Sequence, residues 1–289
     1  MSRIHLDTAP PALLVFLAAL LWSTGGLFIK ASSLSAYQIS FGRCAFAAIT
    51  VALVTRRAGF GFNPVTGVAA VIYAIVLLLF VMATKMTTAA NAIFLQYTAP
   101  IYVMLLEPVV YKEKFKLKDL VTVILCLCGM SLFFLGRLNA QDLTGNVIAI
   151  ICGAFFGIMM LLLRAPGVRE VNPASSVLYG NILLALFTLP SFTGALGAIG
   201  WRDLAIISYL GIFQLGLSYV LFTLGLARGL RSVDAAIICY IEPVLNPLWV
   251  FLVLGERPSV WAITGGTLII ITVFVHSVRN ARAKKPVAA

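Results

Sequence analysis

"NAIFLQYTAPIYVMLLEPVVYKEKF", residues 91–115, falls over "DAAIICYIEPVLNPLWVFLVLGERP", residues 234–258, when the chain is slid along itself by 143 residues without gaps. Tyr97 then meets Tyr240, Pro100 meets Pro243 and Glu113 meets Glu256. Identities are few, yet the apolar profile stays in step. Near the start of each half, "LLWSTGGLFIK" (20–30) also resembles "AFFGIMMLLLR" (154–164), with Lys30 matching Arg164. The two copies differ in charge: Lys112, Lys114, Lys116 and Lys118 crowd the end of the first, and the second ends on "LGERP" with one arginine.

The rest of the chain explains that difference. Of its 289 residues 61% are hydrophobic and 11% charged, against about 25% charged in an ordinary soluble domain. Apolar runs near the ~20 residues needed to cross a bilayer recur along the whole length. They predict an all-α membrane protein of ten transmembrane helices, near 11–30, 37–55, 65–84, 89–110, 117–136, 145–163, 174–194, 204–226, 233–254 and 259–277. A membrane barrel would show short alternating segments, and these runs are continuous. The N-terminal stretch carries Trp22, runs to about residue 29 and has a counterpart later in the chain, so it is expected to stay as a helix and not to act as a signal peptide.

The formal charge of +11 lies between apolar runs and not along one polar face, so nucleic acid is not expected as a partner. It reads as a topology signal. With the N-terminus inside, the inner segments hold fifteen basic residues: Arg3, Arg56, Arg57, Lys112, Lys114, Lys116, Lys118, Arg164, Arg169, Arg228, Arg231, Arg279, Arg282, Lys284 and Lys285. The outer segments hold five, Lys30, Lys85, Arg137, Arg202 and Arg257. Short loops rich in Lys and Arg stay in the cytoplasm, so both termini are expected there, in a bacterial inner membrane. The five cysteines all fall in apolar runs and are expected to be small buried thiols, with neither a disulfide framework nor a zinc site.

Five helices per repeat is an odd number, so the second half must enter the membrane from the opposite side. The expected organisation is a first repeat over 1–140, an inverted second repeat over 141–278 and a basic cytoplasmic tail over 279–289. Inverted repeats place a solute site near the midplane between them, and exchange of their conformations gives alternating access. Ten helices, a proline in the fourth and ninth and a glutamate ending each ("YKEK", "LGERP") resemble the drug/metabolite transporter superfamily, in particular its duplicated EamA-type members. The resemblance covers nearly all of the chain. It implies a transporter, and in detail it is most like the bacterial exporters of aromatic amino acids and related metabolites. Lys112 stands where the family usually has glycine before the glutamate, which leaves the geometry of that turn open.

Polar groups at mid-depth need a reason, because a charge there costs roughly 3 kcal/mol on insertion scales. Glu242 sits about nine residues into the ninth helix, and its repeat counterpart is Ala99. It could bind a substrate ammonium or exchange a proton during the cycle, or be a structural glutamate beside Pro243. Arg43, roughly 10 Å below the outer surface at ~1.5 Å per residue, could receive a substrate carboxylate or pair with Glu242 when the site is empty. Alternatively it snorkels or supports packing. Glu107 is expected at the cytoplasmic interface.

Trp22, Ser23 and Thr24 on the first helix, Gln96, Tyr97 and Tyr102 on the fourth, Gln214, Ser218 and Tyr219 on the eighth, and Tyr240 and Asn246 on the ninth lie near the same depth. Aromatic rings with polar edges suit a planar or zwitterionic solute, although such rings are also ordinary packing and interface groups. Pro100 and Pro243 are candidate hinges or passive kinks. Gly25, Gly26, Gly129, Gly153, Gly157, Gly265 and Gly266 are expected to allow close helix contact.

These readings favour a secondary exporter of amino acids, aromatic or hydrophobic, or of similar small metabolites, with the lipid bilayer as its setting and the proton as a candidate co-substrate. No cofactor signature or Walker motif is present, and nothing in the sequence sets an oligomeric state. A multidrug or nucleotide-sugar carrier is the alternative, although a nucleotide sugar calls for several midplane cations and only Arg43 is available. An intramembrane lipid enzyme is the third reading. The histidines, His5 and His276, lie near helix ends or outside, without a paired metal motif.

Overall fold

The computed structural model describes residues 9–114, 116–133, 142–194, 199–254 and 259–283. Among them the chain is helical and contains no strand. The helices are α1 (Pro11–Trp22), α2 (Gly25–Ala31), α3 (Ala36–Thr55), α4 (Pro64–Met86), α5 (Ala89–Gln96), α6 (Ala99–Tyr111), α7 (Leu117–Phe133), α8 (Leu143–Arg164) and α9 (Pro166–Glu170). They continue with α10 (Pro173–Thr193), α11 (Trp201–Tyr209), α12 (Ser218–Ala227), α13 (Ser232–Cys239), α14 (Ile241–Leu254) and α15 (Val260–Ala283), and Leu210–Leu217 between α11 and α12 is π-helical.

Local chemistry sets many of the starts. Ser35 and Gln38 form a reciprocal capping box at α3, and the side chains of Asn63, Thr88 and Asn172 accept N–H bonds at the heads of α4, α5 and α10. Pro64 and Pro173 follow their caps directly, where a missing N–H costs nothing.

Eight helical stretches in the described residues are long and apolar enough to cross a membrane. The chain is thus a multi-pass membrane protein. Ten spans were expected. The two outside this count are α7, described over 17 residues, and α13 with α14, which are separated at Tyr240. Leu53, Val109, Leu252 and Phe274 lie exposed on the outside of the bundle, as lipid-facing positions must. Four of the five cysteines are buried, but Cys128 is exposed; it shares the outer face of α7 with Leu125 and Val121, so a position in an apolar run did not make it a core thiol.

Small residues let the helices approach. At Gly153 of α8, an added Cβ would stand 2.6 Å from Thr98 Oγ1 and 2.8 Å from the Gln96 carbonyl, so α8 presses on the junction between α5 and α6. At Gly129 of α7, a Cβ would meet the Gly265 carbonyl of α15 at 2.9 Å. Gly153→Val should therefore cost about 1–3 kcal/mol by overpacking, read as a lower melting temperature and lower yield of folded protein. An unchanged melting temperature would show that α8 can move aside.

Lys112 caps α6 in the left-handed conformation, φ 54° and ψ 24°. Glycine adopts this region freely and lysine does so at a cost of roughly 1–2 kcal/mol. The turn left open by the Lys112 departure is thus of the glycine type. Its sequence partner in "LGERP" lies outside the described residues.

Candidate functional site

Four of the spans are interrupted at one level. Between α1 and α2, Ser23 Oγ donates to the Leu20 carbonyl at 2.6 Å and Thr24 Oγ1 to that of Leu21 at 2.9 Å, drawing the chain away from regular helix. The break at Tyr97–Thr98 and the break at Tyr240 are built alike. Pro100 and Pro243 lack the N–H that would bond the carbonyls of Gln96 and Cys239, which are the last residues of α5 and α13. Equivalent prolines therefore end equivalent half-helices. The eighth span swells into the π segment, a distortion that often marks functional positions.

A small cavity lies where these interruptions meet. It is lined by Trp22, Arg43, Gln96, Gln214, Tyr219 and Glu242, with Val76, Leu77, Phe80, Phe156 and Leu215 as its apolar wall. Its volume is about 20 Å³, room for roughly one water. Arg43 is 0% exposed, so it does not snorkel. Its Nη2 donates to the Leu77 carbonyl at 3.4 Å, its Nε and Nη1 make no hydrogen bond, and the Cys44 thiol is a polar neighbour. Gln214 Oε1 and Trp22 Nε1 are likewise unpartnered. Buried polar groups are nearly always satisfied, so three such groups around one cavity need an explanation.

Glu242, which also lines the cavity, is held differently. Tyr97 donates its hydroxyl to Glu242 Oε2 at 2.6 Å, and Tyr240 donates to the Tyr97 carbonyl at 3.2 Å. The two tyrosine rings sit 5.4 Å apart. The residues that the 143-residue offset pairs in sequence thus touch in space. Arg43 and Glu242 share the cavity but form no ion pair, because Leu77 takes the guanidinium and Tyr97 the carboxylate. Trp22 packs on Tyr219 and Phe222 at 4.7 and 5.0 Å between ring centroids, giving one wall an aromatic face.

Other expected site residues fall elsewhere. Ser23 is bonded by Trp249 Nε1 at 2.7 Å, and Thr24 lies 3.2 Å from the Tyr209 hydroxyl; both shape the first break and neither lines the cavity. Tyr102 packs against Gly157 of α8. The Asn246 side chain lies outside the described residues. The apolar wall and the Leu77 carbonyl were missed, since nothing distinguishes them within their apolar runs.

The basic end of the bundle, where the 112–118 segment lies, holds the ion pairs found among the described residues. Arg231 contacts Glu113 at 2.7 Å, Glu107 at 2.9 Å and Asp119 at 3.0 Å. Arg164 contacts Glu107 at 3.0 Å, pairs with Glu113, and lies over the Tyr111 ring at 4.7 Å. Glu107 also accepts the backbone N–H of Ser232 at 3.0 Å, at the head of α13, where the helix dipole favours an anion. Glu107 is 1% exposed, so the expected interfacial residue is instead the centre of a buried network joining the two halves of the chain. Sequence could not find it, because its partner Arg231 lies 124 residues away.

Burial pushes the Glu113 carboxyl up, but hydrogen bonds and charge from Arg164 and Arg231 outweigh it and hold the group below its ordinary value. Burial also works against the Arg231 guanidinium; Glu107, Asp234, Glu113 and Asp119 overcome it and raise the group above its ordinary value. With its carboxyl depressed, Glu113 supports the network fully above the ordinary carboxylate range, and that support is lost as pH falls through the lowered value.

Beside the network, carboxylate and ring atoms of Asp119, Asp234 and His276 lie within 4.8 Å of one another. His276 contacts Asp234 at 3.0 Å and Asn280 donates to Asp234 at 2.8 Å. With Arg231 already on Asp119, a metal ion would have to compete with a fixed positive charge, so this group fits a hydrogen-bonded extension of the network better than a metal centre.

Comparison with known proteins bears on the whole chain. A protein of Archaeoglobus fulgidus named "uncharacterized transporter" is 25% identical over 262 residues, spanning 90% of this chain and 94% of its own. Another so named, from Clostridium kluyveri, is 24% identical over 233 residues, 77% of this chain and 74% of its own. A solved crystal structure superposes with a TM-score of 0.76 at 19% identity, covering 95% of this chain and 99% of the other, a likeness of fold alone. The sequence profile of one family matches twice, over residues 9–135 and again over 143–278. With nearly its full length matched in two copies, the chain belongs to the EamA-like transporter family.

Proposed function

We propose that this transporter exports amino acids, aromatic or hydrophobic, or closely related metabolites, by alternating access through the central cavity. The observation that carries this reading is the fully buried Arg43, with Nε and Nη1 making no hydrogen bond, lining one cavity with a tyrosine-held Glu242. A substrate carboxylate would satisfy Nε and Nη1 of Arg43, its ammonium would face Glu242, and a ring would lie on Trp22 and Tyr219. A nucleotide sugar is disfavoured, since among the described residues Arg43 is the one basic side chain lining the cavity.

A cavity of about 20 Å³ is too small for any amino acid, so helices must part to load it. The breaks at Tyr97–Thr98 and Tyr240 are the proposed hinges, with Pro100 and Pro243 fixing their position. The Arg231 network is the proposed lock at one mouth. The proposed organisation is a first repeat over 1–140, an inverted second repeat over 141–278 and a tail over 279–289. From the distribution of basic residues, both termini and the lock face the cytoplasm of a bacterial cell.

Uptake of a labelled amino-acid panel into proteoliposomes, with and without an imposed pH gradient, tests the reading. Accumulation of aromatic amino acids above protein-free vesicles is expected; no amino acid taken up would overturn it. Glu242→Gln keeps an acceptor for Tyr97 and removes the charge, so uptake should fall at least about tenfold, as for a lost charge-assisted hydrogen bond. Full uptake by that variant at every pH would remove Glu242 from the mechanism.

A further inference from the structure

Away from the central cavity, a concave groove of about 490 Å³ opens between α7 and α15 at the basic end. Its walls are apolar and outward-facing, with Val121, Leu125, Ile271 and Val275 exposed. Its mouth carries Lys118 and Arg279. Lys118 donates to Asn280 at 2.8 Å across the groove, and Arg279 is exposed with no bonded partner among the described residues. Farther along, the close contact of Gly129 with Gly265 and Ile269 brings the two helices together and limits the groove's depth.

We propose that this groove is a binding site for one anionic phospholipid, its phosphate on Lys118 and Arg279 and an acyl chain along the apolar wall. The charge runs in one direction: cations at the membrane surface and hydrocarbon toward the midplane, which is the polarity of a lipid molecule. Neutral lipid would satisfy only the wall, and a soluble anion only the mouth. Basic pockets between membrane helices attract anionic headgroups for this reason. The site does not depend on what the central cavity transports.

Its placement ties the lipid to the proposed lock. Lys118 precedes Asp119, which pairs inward with Arg231 at 3.0 Å. Arg279 precedes Asn280, which donates inward to Asp234 at 2.8 Å. The same helical turns therefore face a headgroup on one side and the buried network on the other, so a bound lipid holds α7 and α15 in the register that the lock requires.

Native mass spectrometry of the purified full chain, offered equal phosphatidylglycerol and phosphatidylcholine with matched acyl chains, tests the proposal. One phosphatidylglycerol per chain should be retained, preferred roughly thirtyfold, about what two basic residues near a headgroup supply. Lys118→Gln with Arg279→Gln should bring the preference near parity while the melting temperature without lipid stays unchanged, and Ile271→Trp should fill the groove and reduce retention of both lipids. Equal retention of the two lipids by the unsubstituted protein would overturn the proposal. So would a preference that survives the double substitution, or glycerol phosphate displacing the lipid as well as a whole phospholipid does.

Discussion

Arg43→Met should abolish amino-acid uptake and at the same time make the protein more stable. The guanidinium is fully buried with one weak bond to a carbonyl, so in the resting protein it carries the cost of a desolvated charge without an anion to offset it. Replacing a buried ion pair with well-packed apolar side chains is often neutral or stabilising by about 1–4 kcal/mol, and Arg43 has no carboxylate partner among the described residues for the substitution to strand. Transport should fall by roughly a hundredfold, since a charge-assisted contact to the substrate carboxylate contributes up to ~3 kcal/mol. Melting temperature and initial uptake rate, measured on one preparation, separate the outcomes. If stability falls together with uptake, Arg43 is a packing residue; if both are unchanged, the cavity is not the route.

Arg231→Ala should have the largest effect on stability. Among the described residues it leaves Glu107 and Glu113 with Arg164 alone, and Asp119 with no cationic partner. Removing one partner of a buried pair typically costs about 3–5 kcal/mol, read as a lower melting temperature. In vesicles the same change should favour opening at the basic end, so an impermeant thiol reagent applied from that side should label a cysteine placed at Ser232 faster than in the parent. Arg231→Lys keeps the charge but loses the geometry that reaches three carboxylates, and should recover part of both losses. Unchanged labelling with lower stability would leave the network as a structural fastener and remove its gating role.

The parts of this molecule that sequence made legible share a physical origin. Arg43 and Glu242 stand out because charge inside an apolar run is expensive, and both line the cavity. Pro100 and Pro243 stand out because a ring nitrogen cannot donate, and each follows a helix break. What stayed hidden depends on more than one helix at a time. Depth along a single helix placed Tyr102 beside Tyr97, but the direction of its side chain sends it to α8. The π segment over Leu210–Leu217 carries no proline or charge to announce it. The Glu107 network needs three separate stretches of chain to converge, and no local pattern encodes that.

The contact between Tyr97 and Tyr240 has a consequence for how such a molecule could arise. Residues related by the repeat touch each other only at the axis that relates the halves, so whatever one half places there, an identical partner would place there too. Glu242 stands opposite Ala99 in that scheme. A pair of identical five-helix chains would have to bring two carboxylates to the centre or none, and two carboxylates sharing a dry site repel. Joining the halves in one polypeptide frees them to diverge, and an odd number of charges becomes available where symmetry would have forbidden it.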